Sequence, residues 1–289
     1  MRDHRRTRRT MTSGLLLLPS MIGVGAFLLV PIVVVAWLSL HSWNLLGPME
    51  FVGLRNWRSV LGDAEFGHSL LVTLALTAIV VPAQTVLGFL VAAALVRRGG
   101  GTGLRMVYAL PWMCAPVAVG VVWQWIFAPT DGALNALLGH RVEWLSNPAL
   151  ALPSVAAVGV WANFGYVALF FVAGLRAIPR DILDAGALDG ATGWLRVRLL
   201  VLPLLRPTTF FVLVTGVLTT FQTFDTVYTL TKGGPDATTD VVAMRIFSEA
   251  FTAARPGRAA VMAIVVFLVL LTITAVQHRY FRDRTTYEI

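Results

Sequence analysis

Residues 178–207 read Ile-Pro-Arg-Asp-Ile-Leu-Asp-Ala-Gly-Ala-Leu-Asp-Gly-Ala-Thr-Gly-Trp-Leu-Arg-Val-Arg-Leu-Leu-Val-Leu-Pro-Leu-Leu-Arg-Pro. The stretch lies between two long apolar runs and carries the punctuation of two short helices. Pro179 suits a first helical turn, where its missing N–H is not needed, and Asp181 beside it complements the helix dipole. Ile182 to Leu188 can continue that helix, with Ala185 and Ala187 giving a surface of low relief. Gly190 supplies a turn that a residue with a Cβ would resist. Trp194 to Leu200 can then form a second helix. Pro203 and Pro207 mark the entry to the next apolar run, because proline disfavours helical geometry in the residue before it. A structured connection of this kind in a hydrophobic chain is expected to project from the membrane and meet another molecule.

The rest of the chain makes the membrane unavoidable. Its 289 residues are 57% hydrophobic and only 13% charged, against about 25% charged in an ordinary globular protein. Six runs are long enough to cross a hydrocarbon core of about 30 Å, over 14–40, 70–96, 104–128, 150–176, 204–228 and 259–281. The expected fold class is all-α, a polytopic domain over 14–281 with short tails at 1–13 and 282–289. A net charge of +8 would fit nucleic acid, but its placement argues otherwise. With both termini on one side, that side holds sixteen of the basic residues, from Arg2, Arg97, Arg98 and Arg105 to Arg196, Arg198 and Arg284, and the other holds seven. By the positive-inside rule the richer side is cytoplasmic, so both termini and the 178–203 loop are expected there and no nucleic-acid partner is expected.

One cysteine, Cys114, excludes an intramolecular disulfide and gives no metal cluster. Its place inside the third run reads as a small packing residue. The N-terminal apolar run is too long for the core of a signal peptide and is read as a retained span. Pro19, Pro31, Pro82, Pro111 and Pro116 interrupt the first three spans, as plain kinks or as gates of a moving path. On the outer side, Thr231-Lys232-Gly233-Gly234-Pro235 is a turn signal. The helix-like run from Asp240 to Ala253 after it places Val241, Met244, Phe247 and Phe251 near one face.

The fifth run is the polar one. It contains Phe221, Gln222, Phe224, Asp225 and Tyr228 among threonines. A carboxylate at membrane depth costs about 2.5–3.5 kcal/mol, so Asp225 should face a polar interior or a partner. Aromatic rings next to amide and hydroxyl groups suit a sugar, with apolar ring faces and a rim of hydroxyls; helix–helix polar contacts are the plainer use of the same residues. Asn163 and Tyr166 in the fourth span and Gln84 in the second are further candidates for a substrate pathway. No nucleophile and base stand together, so no covalent chemistry and no enzymatic role are expected.

Asp184-Ala185-Gly186-Ala187-Leu188-Asp189-Gly190-Ala191, followed by Leu202-Pro203, resembles the Glu-Ala-Ala loop of bacterial ATP-binding-cassette importer permeases. Asp184 stands where that family usually has Glu, and Gly186 where it usually has the second Ala. The first change keeps the charge. The second should weaken the helix by about 1 kcal/mol. Phe224-Asp225-Thr226-Val227-Tyr228-Thr229-Leu230-Thr231 and Gly233-Gly234-Pro235 resemble a segment of permeases in carbohydrate importers of the maltose and glycerol-phosphate class. Ala128-Pro129-Thr130-Asp131-Gly132 and the ending Gln277-His278 to Tyr287 resemble actinobacterial permeases of the amino-sugar sort.

The resemblance implies a six-helix type I permease with cytoplasmic coupling helices, in a bacterial cell membrane. Asp184, Ala185, Gly186, Asp189, Gly190, Ala191 and Pro203 would form the coupling loop, seated in a cleft of a cytoplasmic ATPase subunit. The chain has no phosphate-cradling Gly-x-x-x-x-Gly-Lys-Ser/Thr sequence, so ATP and Mg would be bound by that partner and no cofactor by this chain. A second homologous permease, two ATPase copies, an external sugar-binding protein and membrane lipids complete the implied assembly. Its cargo would be a sugar, an amino sugar among them, with disaccharides or glycerol phosphate derivatives as alternatives. An ion-gradient-driven transporter is the rival reading, and only Asp225 offers it a midplane ionisable group.

Overall fold

The computed structural model describes residues 18–99 and 101–282; the tail expected at 1–13, all but the first residue of the tail expected at 282–289, and the first residues of the expected opening span lie outside them. Helices α1 (Leu18–Leu38), α3 (Ala64–Arg97), α7 (Pro148–Ala177) and α13 (Pro256–Arg282) are each long and apolar enough to cross a membrane. The other two expected spans are not single rods. The third is split into α4 (Thr102–Met113) and α5 (Pro116–Ile126), bent by 90°. The fifth is split into α9 (Gly193–Leu204) and α10 (Arg206–Phe221), bent by 70°, and then into α11 (Asp225–Leu230). Contacts divide the chain into two compact units, 1–63 with 246–266 and 64–245 with 267–289.

The first unit holds α1, a short hairpin of β1 (His41–Ser42) and β2 (Glu50–Phe51), and α2 (Arg55–Leu61). The apolar window of α1 is 0% buried inside this chain, as suits a surface that meets lipid or another helix. Asn56 ties the unit together, its Nδ2 donating to the carbonyls of Ser39 (3.0 Å) and His41 (2.9 Å). A small ionic cluster lies at the start of α13. Glu249, only 3% exposed, accepts from Arg255 at 3.0 Å and Arg258 at 3.3 Å, while Arg258 also reaches Asp63 at 2.5 Å and Ser59. Buried charges of this kind persist because each has a counter-charge and a hydrogen bond.

In the second unit α3 and α7 form the central pair, with α4 laid on α7, α10 on α3, and α11 on α5. One apolar cluster gathers Leu76, Val80, Val119, Phe127, Val158, Val227 and Val241. Another, nearer the 178–207 loop, gathers Ala92, Leu95, Phe171, Val201, Leu205 and Val212. The turn at 231–235 is present, with Lys232 and Gly233 at φ of +53° and +89°. The segment after it is fastened to α3: Ser69 Oγ donates to Asp240 at 2.8 Å, and Val242 N to Thr73 Oγ1 at 2.9 Å. The helix expected over 240–253 forms as α12 (Val242–Phe247) with a wider turn over Ser248–Thr252. Its expected apolar face is divided. Val241 and Met244 join the core, whereas Phe247 and Phe251 are exposed.

The proline-bounded breaks have a local cause. Cys114 and Ala115 adopt extended backbone, with ψ of 147° and 129°, because Pro116 lacks an N–H and crowds the residue before it. This corrects the reading of Cys114 as a small packing residue: it is exposed at the break.

Candidate translocation cavity and coupling loop

The two helix breaks come together. Pro111, Trp112, Cys114 and Pro116, from the α4–α5 break, line an open cavity of about 230 Å³ with Thr219, Thr220 and residues 222–226, where the chain passes from α10 into α11. Leu76 and Val80 of α3 and Val155, Gly159 and Asn163 of α7 close its other walls. The regular helix is interrupted over 222–224. Irregular backbone at membrane depth is tolerated only inside protein or beside a polar cavity, so unwinding and cavity explain each other.

Most of the polar residues singled out in the sequence meet here. Gln222, Phe224, Asp225 and Asn163 line the cavity, and Gln222 and Asp225 are exposed in it. Asp225 opens α11, where a negative charge is favoured by the dipole. Phe224 and Tyr228 stack at 5.4 Å between centroids, although Tyr228 is not part of the wall. Phe221 is different. At 2% exposure it belongs to the packed interior and lines neither cavity, because it falls on the last turn of α10, before the chain unwinds.

A second cavity of about 180 Å³ shares Trp112, Asn163 and Thr219 with the first and adds Gln84, Tyr166 and Thr215. Gln84 is 2% exposed and its Oε1 has no hydrogen-bond partner, while its Nε2 lies 2.6 Å from where a Cβ on Gly216 would stand. The threonines spend their hydroxyl protons locally. Thr215 donates to Phe211 O at 2.8 Å, Thr219 to Thr215 O at 3.0 Å, and Thr220 to Gly216 O at 2.8 Å. Their oxygens keep lone pairs for a ligand, and the Gln222 amide supplies donors. Trp112 was missed in the sequence. It lines both cavities, stacks on Tyr166 at 4.4 Å and 14°, and its signal was the flanking pair of prolines, Pro111 and Pro116.

The 178–207 loop forms the two expected short helices with two differences. The second helix runs through Pro203 to Leu204 rather than ending at Leu200, and Pro179 is the cap of α8 (Arg180–Leu188), just outside its first turn. The helix closes with Ala191 N donating to Gly186 O at 2.8 Å and Gly190 N to Ala187 O at 3.1 Å. Gly190 has φ of +82°. This is the Schellman arrangement, in which a glycine in left-handed geometry satisfies the last carbonyls. Asp184, Ala185, Asp189 and Gly190 are exposed, Pro203 is half-buried, and Gly186 and Ala191 are buried. The residues expected to couple therefore divide into those that face outward and those that are buried within the loop. Leu188 (91% exposed) and Trp194 (71%) also stand outward.

Residues 84–287 match the family described as binding-protein-dependent transport system inner membrane component. The chain is 34% identical over 243 residues to the sn-glycerol-3-phosphate transport system permease protein of Agrobacterium fabrum, covering 82% of this chain and 83% of that one. It is 30% identical over 276 residues to the trehalose/maltose transport system permease protein of Thermococcus litoralis, covering 93% of each. Among solved structures, a chain of a bacterial ABC transporter involved in the import of the acidic polysaccharide alginate superposes with a TM-score of 0.83 at 21% identity, covering 99% of this chain and 100% of that chain. That likeness is one of fold. Cavity, loop and sequence agree, and the chain belongs to the family of binding-protein-dependent transport system inner membrane components.

Proposed function

We propose that this chain forms one half of the membrane path of an ATP-driven sugar importer. A second permease completes the path, two cytoplasmic ATPase subunits bind and hydrolyse ATP, and an external binding protein delivers the cargo. The observation that carries this reading is the junction of two broken helices around a polar, aromatic cavity, joined through α10 to a preformed loop. Gln222, Asp225 and Asn163 hydrogen-bond the sugar, and Trp112, Tyr166 and Phe224 supply apolar faces. Asp184, Ala185, Asp189, Leu188 and Trp194 meet the ATPase. Closure of the ATPases on ATP moves the loops together and turns the cavity outward; hydrolysis resets it. The relatives named for glycerol 3-phosphate and for trehalose or maltose support a polyhydroxylated cargo, amino sugars included. Both termini are cytoplasmic in this reading, by the distribution of basic residues.

The test is uptake in vesicles holding the whole complex. Uptake driven by enclosed ATP, lost in Asp184→Lys with Gly190→Pro together with ATPase association, is the expected result. Uptake that persists without ATP and collapses with the proton gradient would instead establish the ion-coupled alternative.

A further inference from the structure

We propose that this chain's half of the path is a charge filter: it admits neutral sugars and those bearing an ammonium group, and turns away phosphorylated ones. The inference rests on the cavity between the helix breaks being the cargo's path, and it separates cargoes that the named relatives leave together. Asp225 is exposed in that cavity, and its carboxylate has no ion-pair partner among the described residues. No Lys, Arg or His lines this cavity or the one beside it that holds Gln84. A cavity bearing one sign of charge between low-dielectric walls concentrates its field, drawing in ions of the opposite sign and repelling those of its own.

The hydrogen-bonding groups point the same way. Thr215, Thr219 and Thr220 spend their hydroxyl protons on backbone carbonyls. Thr223 does likewise, to Thr219 O at 3.3 Å, and Asn163 Nδ2 donates to Gly159 O at 2.8 Å. What these groups keep for a ligand is chiefly oxygen. Gln84, in the wall of the second cavity and 2% exposed, has an Oε1 with no partner. Hydroxyl and ammonium groups donate to such acceptors, whereas a phosphate dianion has no proton to give and meets lone pairs. Phosphate is held by guanidinium, ammonium or a helix N-terminus. The walls carry neither of the first two, and the first turn of α11 already holds Asp225. A helix dipole offsets at most about half a charge, so that position stays negative. The Gln222 amide supplies neutral donors for a sugar's own oxygens.

Cys114, in the same wall, reports the charge directly. The assembled complex is treated with a trimethylammonium-bearing or a sulfonate-bearing methanethiosulfonate of similar size. Modification of Cys114 is read by peptide mass spectrometry, and each rate is taken relative to that reagent's rate on a free thiol. The cation is expected to be favoured about tenfold. Asp225→Asn should remove most of that preference, and Asp225→Glu should keep it. Should Asp225→Asn fail to assemble, the preference in the unsubstituted complex decides the matter by itself. Equal rates or a preference for the anion in the unsubstituted complex, or an undiminished preference in Asp225→Asn, would overturn the filter. Labelling needs no cargo to move, so this result stands apart from the uptake test of the path.

Discussion

A Cβ placed on Gly186 would lie 2.3 Å from Cδ1 of Leu200, so the side chain of α9 rests directly on the backbone of α8. The departure from the family's alanine at this position is matched by a leucine that occupies the space. Leu200 offers only a mobile methyl, so Gly186→Ala should be accommodated by its rotation. The helix propensity gained, about 1 kcal/mol, then roughly offsets the crowding, whereas Gly186→Leu should separate α8 from α9. Co-purification with the ATPase is expected to survive the first and fall at least tenfold in the second. Loss of association in Gly186→Ala that Leu200→Ala does not restore would show that the contact is not the cause.

Gly190→Ala should cost about 1–2 kcal/mol, because φ of +82° places an added Cβ against the following carbonyl. Asn tolerates that geometry better, so Gly190→Asn is expected to retain more uptake than Gly190→Ala. The reverse order would remove the turn geometry as the explanation.

Gln222→Ala and Asp225→Asn should each lower ATP-driven uptake about tenfold, the loss expected when about 1.4 kcal/mol of binding disappears, with assembly unchanged. Uptake assays beside size-exclusion profiles of the complex decide this. Normal uptake in both variants would take the α10–α11 break out of the path.

Gln84 separates packing from transport. Its Oε1 forms no hydrogen bond, so Gln84→Leu forfeits little stability and should leave the thermal midpoint within a few degrees. Uptake should nevertheless fall, since the second cavity loses its buried acceptor. A large drop in stability with proportionate loss of uptake would assign Gln84 to packing alone.

Cys114 is the chain's single cysteine and is exposed in the wall of the cavity between the two helix breaks. A small maleimide should label it in the assembled importer, and transported sugar should slow labelling severalfold. Labelling unaffected by any transported sugar would place the cargo elsewhere.

Arg258 bridges Asp63 and the nearly buried Glu249. Removing one member of such a cluster strands the others, so Arg258→Ala should destabilise the protein by about 3 kcal/mol or more. Chemical unfolding of the purified chain measures it.

The loop was legible because its signals are local. Proline at 179, glycine at 190 and alternating small residues dictate helix, turn and helix whatever surrounds them. Asn163, Gln222 and Asp225 were also readable, because polar groups in an apolar run must have a reason to be there. What sequence did not convey was convergence. The 90° bend at Cys114–Ala115 and the unwinding at 222–224 lie about a hundred residues apart and become one cavity only through the packing of α5 on α11. For the same reason Phe221, one residue before the break, turned inward, and Trp112 emerged as a wall residue.

The bend at Leu205 has a mechanical reading. Leu205 is 1% exposed and sits where α9 meets α10, so the core holds the bend itself. The 16 residues of α10 span about 24 Å, so a tilt of about 10° about Leu205 would carry Gln222 some ~4 Å. That displacement exceeds the reach of a hydrogen bond. If Gln222 holds the cargo as proposed, a small rotation at the loop would be enough to make or break that hydrogen bond, with no helix needing to unfold.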